Sequence, residues 1–191
     1  MTHSSRGPGA DGVLLPLPRL GGPGRRPPRN RAAPDGLSLA QLSNLLWAAF
    51  GSECQRSGGR VAASRRGVQA LQLHVCLPEG CFRYDATEHA LVLVSRHDGR
   101  AWAGWHGAGA APSLAFAYVT AVAGEDDDEE AGRIPRDVPM VAAHVAAGAA
   151  AAGLVARDED WFHPGLATLL ALRPTQRIAL TQSVFAGHAV H

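Results

Sequence analysis

Between Leu71 and Asp85 the chain reads LQLHVCLPEGCFRYD, and this stretch limits the possible folds more than any other. Leu71, Leu73, Val75 and Leu77 fall on one side of an extended chain, with Gln72, His74 and Cys76 on the other. That spacing of two is the repeat of a β-strand. Pro78-Glu79-Gly80 supplies a turn, and Cys81 to Asp85 returns as a second strand. The chain is thereby committed to a sheet built around a hairpin.

A helix precedes the hairpin. Ser38 and Gln41 form a capping box, and Leu39, Leu42, Leu45, Leu46 and Ala49 then recur at helical spacing until Gly51 ends the run. Beyond the hairpin, Ala90 to Ser95 and Ser113 to Ala123 read as strands, the second nearly all apolar and so central in the sheet. The segment joining them is a Gly/Ala/Trp-rich loop, and the acidic run Glu125 to Glu130 reads as a solvated loop because six like charges repel one another. Asp137 to Ala152 has the alanine content of a helix, with Gly153 as its C-terminal cap, and its small side chains suit close packing on a sheet or a second subunit. Pro164 opens a short helix through Ala171, and Arg177 to Phe185 forms a final strand. This order of elements predicts an α+β sandwich with a central, mainly antiparallel sheet flanked by helices.

The length of 191 residues suits one domain. Residues 1–35, with seven prolines among many Gly and Arg, read as an N-terminal arm, and residues 36–191 as the folded domain. A 46% hydrophobic and 18% charged composition is that of a soluble globular protein. All 18 basic residues are Arg, which excludes a Schiff-base or P-loop lysine. A net charge of +1 gives no general electrostatic footprint for nucleic acid. No apolar run approaches the roughly 18 residues of a membrane span, and nothing resembles a signal peptide, so a cytoplasmic location without membrane partners is expected. The three cysteines, Cys54, Cys76 and Cys81, have no metal-ligand spacing, and no metal site is expected.

Three segments carry a family resemblance. Leu42 to Gly51 (LSNLLWAAFG), Arg60 to Gln69 (RVAASRRGVQ) and Leu172 to Val184 (LRPTQRIALTQSV) resemble the corresponding helix, turn and closing strand of the FMN-dependent nitroreductases, and Leu15-Pro-Leu-Pro-Arg19 is similar to the usual lead-in. The resemblance runs from about residue 13 almost to the end. It implies FMN bound at the interface of a homodimer, hydride taken from NAD(P)H, and electrons passed to a nitroaromatic, quinone or similar small acceptor; some relatives oxidise azoline rings in peptides. It also implies that Arg25, Arg26 and Arg29 hold the FMN phosphate, for which a planar guanidinium fork is well suited. Ser64 and Gln69 match positions that line the flavin ring, and Arg60 matches as well. A solvated basic arm and an ordinary turn hydroxyl are the plainer readings of the same arginines and of Ser64.

The departures bear on activity. Ala63 and Arg65 replace a proline and an alanine of the family pattern, and Gly67 replaces the asparagine that hydrogen-bonds the flavin. Pro27 and Pro28 interrupt the arginine segment, and Pro139, Ala143 and His144 stand where the family pattern differs. Arg157-Asp-Glu-Asp-Trp161 replaces a glycine-containing loop at the flavin edge, and its carboxylates would repel a reduced anionic flavin. The alternative expectation is therefore a degenerate, flavin-free homologue that serves as a binding or partner protein. Other chemistry finds less support: His144 and His163 lie in no H-E-x-x-H setting, and Ser64 has no G-x-S-x-G setting. Cys76 and Cys81 face each other across the hairpin and could pair as a redox disulfide, although the sequence shows no activating context and reads them as buried, inert thiols.

Overall fold

The structure, a computed structural model, describes residues 12–14, 37–47, 71–86, 88–104, 110–121 and 137–187. Seven strands form one sheet: β1 (Gly12–Leu14), β2 (Gln72–Leu77), β3 (Gly80–Asp85), β4 (Ala90–Ser95), β5 (Leu114–Ala121), β6 (Leu154–Glu159) and β7 (Gln176–Ala186), in the order β1-β4-β3-β2-β5-β7-β6. Every pairing is antiparallel. The helices are α1 (Leu39–Leu46), α2 (Asp137–Ala151) and α3 (Leu166–Leu169), and a 3-10 turn spans Arg100–Ala103.

Local chemistry accounts for most of these elements. Ser38 accepts a hydrogen bond from the Gln41 backbone while the Gln41 side chain reaches back to the Ser38 N–H at 2.9 Å, so α1 begins with a complete capping box. Pro78 and Glu79 form the two-residue turn that closes β2 on β3, with Leu77 opposite Gly80. After α2 the chain reverses through Gly153 at φ 77°, a left-handed conformation that glycine adopts without steric cost.

The sheet is covered on both faces. Leu73, Val75, Phe82, Tyr84, Leu91, Leu114, Phe116, Tyr118 and Val184 share one core with Leu42, Leu45 and Leu46 of α1 and with Val138, Val141, Ala142, Val145 and Ala149 of α2. The buried positions of α2 recur at three- and four-residue spacing, so its small residues pack on the sheet. On the opposite face Cys76, Cys81, Ala115 and Ala117 pack with Ala103, Leu166 and Leu170. With two layers over it, β5 is buried from Leu114 to Thr120, as a central strand should be.

Two strands depart from the expected pattern. Residues 12–14, within the expected arm, pair with β4, and residues 154–159, expected to include a loop, pair with β7 as the outer strand β6. An edge strand exposes side chains on both sides, here including Val155, so its sequence need not alternate. The acidic run 125–130 and residues 48–51, expected from the sequence to complete the first helix, lie outside the described residues. Among the described residues no helix is long and apolar enough to cross a membrane.

Candidate functional site

The face of the sheet opposite α1 and α2 gathers buried thiol and polar side chains. Strand register places residues in two rows across it. One row runs Arg83, His74, Ala117, Thr181, Glu159; the next runs Cys81, Cys76, Ala115, Ser183, Arg157. His74, Thr181 and Ser183 are buried, yet His74 Nδ1, Thr181 Oγ1 and Ser183 Oγ have no hydrogen-bond partner among the described residues. Native proteins leave few such groups unsatisfied. Burial pushes the His74 pKa down to about 4, with the charge of Arg83 opposite it as a second cause, so the ring is neutral at physiological pH.

In the second row the sulfurs of Cys76 and Cys81 lie 3.3 Å apart, both fully buried and both free thiols. The 3-10 turn presses on them through Gly99, where any Cβ would stand 2.5 Å from Cys81 Sγ and 3.0 Å from Cys76 Sγ. The turn is fixed by Arg100, whose Nε and Nη2 donate to the Asp98 carboxylate, the latter at 2.7 Å, and whose Nη1 donates to Pro112 O at 2.7 Å. These hydrogen bonds from Arg100 hold the Asp98 pKa below its usual value.

The two thiols are not equivalent. A hydrogen bond from Cys76 stabilises the Cys81 thiolate and lowers its pKa; against the opposing effect of burial, the Gly99 backbone N–H adds to that stabilisation. The same bond, with burial, pushes the Cys76 pKa well above its ordinary value. The main stabilisation of the Cys81 thiolate comes from its hairpin partner Cys76; Gly99, distant in sequence, adds to it, while the Asp98 carboxylate opposes it.

At the rim of this face Trp102 and Trp161, both partly exposed, flank His163, with ring centroids 4.7 and 6.3 Å from the imidazole. On the helix-bearing face a second buried polar group joins α1 to the sheet. His89 hydrogen-bonds Ser43 Oγ through Nε2 and Tyr84 Oη through Nδ1, each at 2.8 Å. Neither arrangement stands out in the sequence, because its members come from separate elements.

The residues assigned to a flavin by resemblance, Arg25, Arg26, Arg29, Ser64 and Gln69, all lie outside the described residues, as do Arg60, Ala63, Arg65 and Gly67. The structure does place the acidic segment. Residues 157–159 belong to β6, and Asp158 accepts a 2.7 Å hydrogen bond from Gln182 Nε2, which also donates to Ala142 O on α2. The expected glycine-loop replacement is therefore mostly sheet edge, with one of its carboxylates bound to a neighbouring strand. His144 lies exposed on α2 and His163 stacks beside Trp102, and among the described residues no group of three or more His, Cys, Asp or Glu could hold a metal ion.

Comparison with solved structures supports one architecture. A candidate nitroreductase from Ralstonia eutropha JMP134 is 26% identical, with a TM-score of 0.63 over 94% of this chain and 90% of that one. The chain has the nitroreductase fold. Two further solved structures share the architecture at lower identity. A candidate nitroreductase from Anabaena variabilis has 13% identity and a TM-score of 0.60, over 83% of this chain and 36% of that one. A chain of the Escherichia coli microcin synthetase McbBCD complex with truncated pro-MccB17 bound has 15% identity and a TM-score of 0.62, over 81% of this chain and 66% of that one. No protein-family model and no curated protein matches the sequence. Within the nitroreductase fold, the expected α+β sheet flanked by helices holds, and the sheet is antiparallel throughout its described strands.

Proposed function

We propose that the protein is a flavin-dependent oxidoreductase of the nitroreductase type, using FMN and NAD(P)H to reduce a nitroaromatic, quinone or similar small acceptor, and working as a homodimer. The observation that carries this reading is the 26% identity to the Ralstonia protein over nearly the whole length of both chains. In this reading Arg25, Arg26 and Arg29 hold the phosphate, and Ser64 and Gln69 contact the ring. Guanidinium groups and polar side chains of these types suit an anionic, polar cofactor. When bound, FMN supplies the hydride and electron chemistry, leaving the protein to hold and orient it.

A second reading rests on Gly67, which stands where the family has its flavin-bonding asparagine, and on the bulky Arg65 and Arg66 beside it. These changes favour a flavin-free homologue that binds a partner. The absorbance of purified protein separates the two. A flavin spectrum near one FMN per chain supports the enzyme, and NAD(P)H oxidation with a quinone acceptor then tests activity. Protein that stays colourless after incubation with FMN supports the second reading.

A further inference from the structure

We propose that Cys76 and Cys81 form a redox-active dithiol, a site where hydrogen peroxide reversibly closes a cross-strand disulfide. The register makes the two residues direct partners, one step beyond the Leu77–Gly80 pair that flanks the two-residue turn. In such a hairpin the pair next to the turn is hydrogen-bonded, so Cys76 and Cys81 occupy a non-hydrogen-bonded position, where facing Cα atoms lie about 4.5 Å apart. That separation is within the range that disulfides span. The sulfurs already stand 3.3 Å apart, and side-chain rotation alone has to bring them to the bonding distance of about 2.05 Å.

The surroundings order the steps. Cys81 is the sulfur that faces the Gly99 backbone and is stabilised as a thiolate, so it reacts first. Its attack on peroxide forms an S–O bond, breaks the O–O bond and releases hydroxide, leaving a sulfenic acid. Cys76 Sγ then attacks Cys81 Sγ, the S–O bond breaks, and the departing hydroxyl takes the Cys76 proton as water. Overall, two thiols and one hydrogen peroxide give one disulfide and two waters: the sulfurs lose two electrons and the peroxide oxygens gain them. A dithiol reductant reverses the change by exchange. Both sulfurs are fully buried under Gly99 and Leu169, so the reaction requires a local opening of this cover that admits peroxide; a neighbouring thiol within contact then captures the sulfenic acid before further oxidation.

The full chain is treated in its folded state with hydrogen peroxide, quenched with catalase, then denatured and alkylated with N-ethylmaleimide for intact-mass and peptide analysis. The expected result is an intact mass carrying one N-ethylmaleimide, at Cys54, and lacking two hydrogens, against three maleimides on the untreated chain, with a peptide cross-link between Cys76 and Cys81 and recovery of both alkylation sites after dithiothreitol. A Cys54→Ser chain should form the same cross-link, and a Cys76→Ser chain should yield Cys81 sulfenic or sulfinic acid instead of a cross-link. Recovery of both thiols in alkylatable form, a cross-link that uses Cys54, or sulfinic acid at Cys81 in the unaltered chain would overturn the proposal. The readout does not involve flavin, so it stands or falls separately from the oxidoreductase reading.

Discussion

Ser43 Oγ and His89 Nε2 lie 2.8 Å apart, 46 residues distant in sequence, and their hydrogen bond ties helix α1 to the turn between β3 and β4. His89 holds φ 48°, a left-handed conformation that is costly for a residue with a Cβ, and its other nitrogen bonds Tyr84. Ser43→Ala should lower stability by about 0.5–1.5 kcal/mol, the usual net worth of such a bond. Urea unfolding should show a lower midpoint with an unchanged slope; an unchanged midpoint would mean that the bond contributes nothing.

Gly99→Ala should destabilise for a purely steric reason. The glycine has φ −94° and ψ 1°, so its backbone is not in the left-handed region. The added methyl would meet Cys81 Sγ at 2.5 Å, with Cys76 Sγ and Leu169 Cδ2 both at 3.0 Å. Overpacking of this kind costs about 1–3 kcal/mol. Thermal melts of the single variant and of a Gly99→Ala, Cys81→Ala double variant provide the check, because removing the sulfur should recover part of the loss.

Gln182 joins three elements: its Oε1 accepts from Tyr118 at 2.9 Å, and its Nε2 donates to Ala142 O and Asp158. Gln182→Leu takes the acceptor away from a buried phenol and should cost about 1–3 kcal/mol. Adding Tyr118→Phe removes the stranded hydroxyl, so the double variant should be more stable than the Gln182 single variant. A double-mutant cycle with no coupling would show the two side chains to be independent.

The contrast between what could and could not be read from sequence follows from how far each interaction reaches. The α1 cap and the β2–β3 hairpin were legible because Ser38 with Gln41, and the alternating residues around Pro78-Glu79, encode structure over a few positions. β6 was not, because on this edge strand the core-facing Leu154 and Ala156 are only partly buried, the exposed Val155 between them is also apolar, and Arg-Asp-Glu follows, so no apolar alternation marks it. β1 is three residues long and owes its strand state to β4. The pairing of Cys76 with Cys81 was readable from the hairpin, whereas Gly99, which settles over both sulfurs, is brought there only by tertiary packing. The flavin assignments at Arg25, Arg26, Arg29, Ser64 and Gln69 rest on family resemblance, and they fall outside the described residues.

Arg29→Ala should therefore test the phosphate assignment directly. Loss of a charge-assisted bond to FMN should weaken binding by roughly 1.5–3 kcal/mol, or about 10- to 150-fold in Kd. Titration of the apoprotein with FMN, followed by quenching of flavin fluorescence, measures the change. Unchanged affinity would exclude Arg29 as a phosphate ligand.

His74 should give the protein an acid-sensitive component of stability. Its pKa is about 4 when folded, set by burial and then by Arg83, against an ordinary value of 6.5. Between those values the unfolded chain binds a proton that the folded chain excludes, so stability must fall as pH falls. The contribution is fully present above about pH 6.5, declines on acidification toward pH 4, and amounts to about 3 kcal/mol over the window. Comparing urea midpoints of the natural chain and His74→Leu from pH 7.5 to pH 4 isolates this residue, since the two chains differ at no other position. The natural chain should lose more stability over that range than the variant does, and parallel losses would refute the assignment.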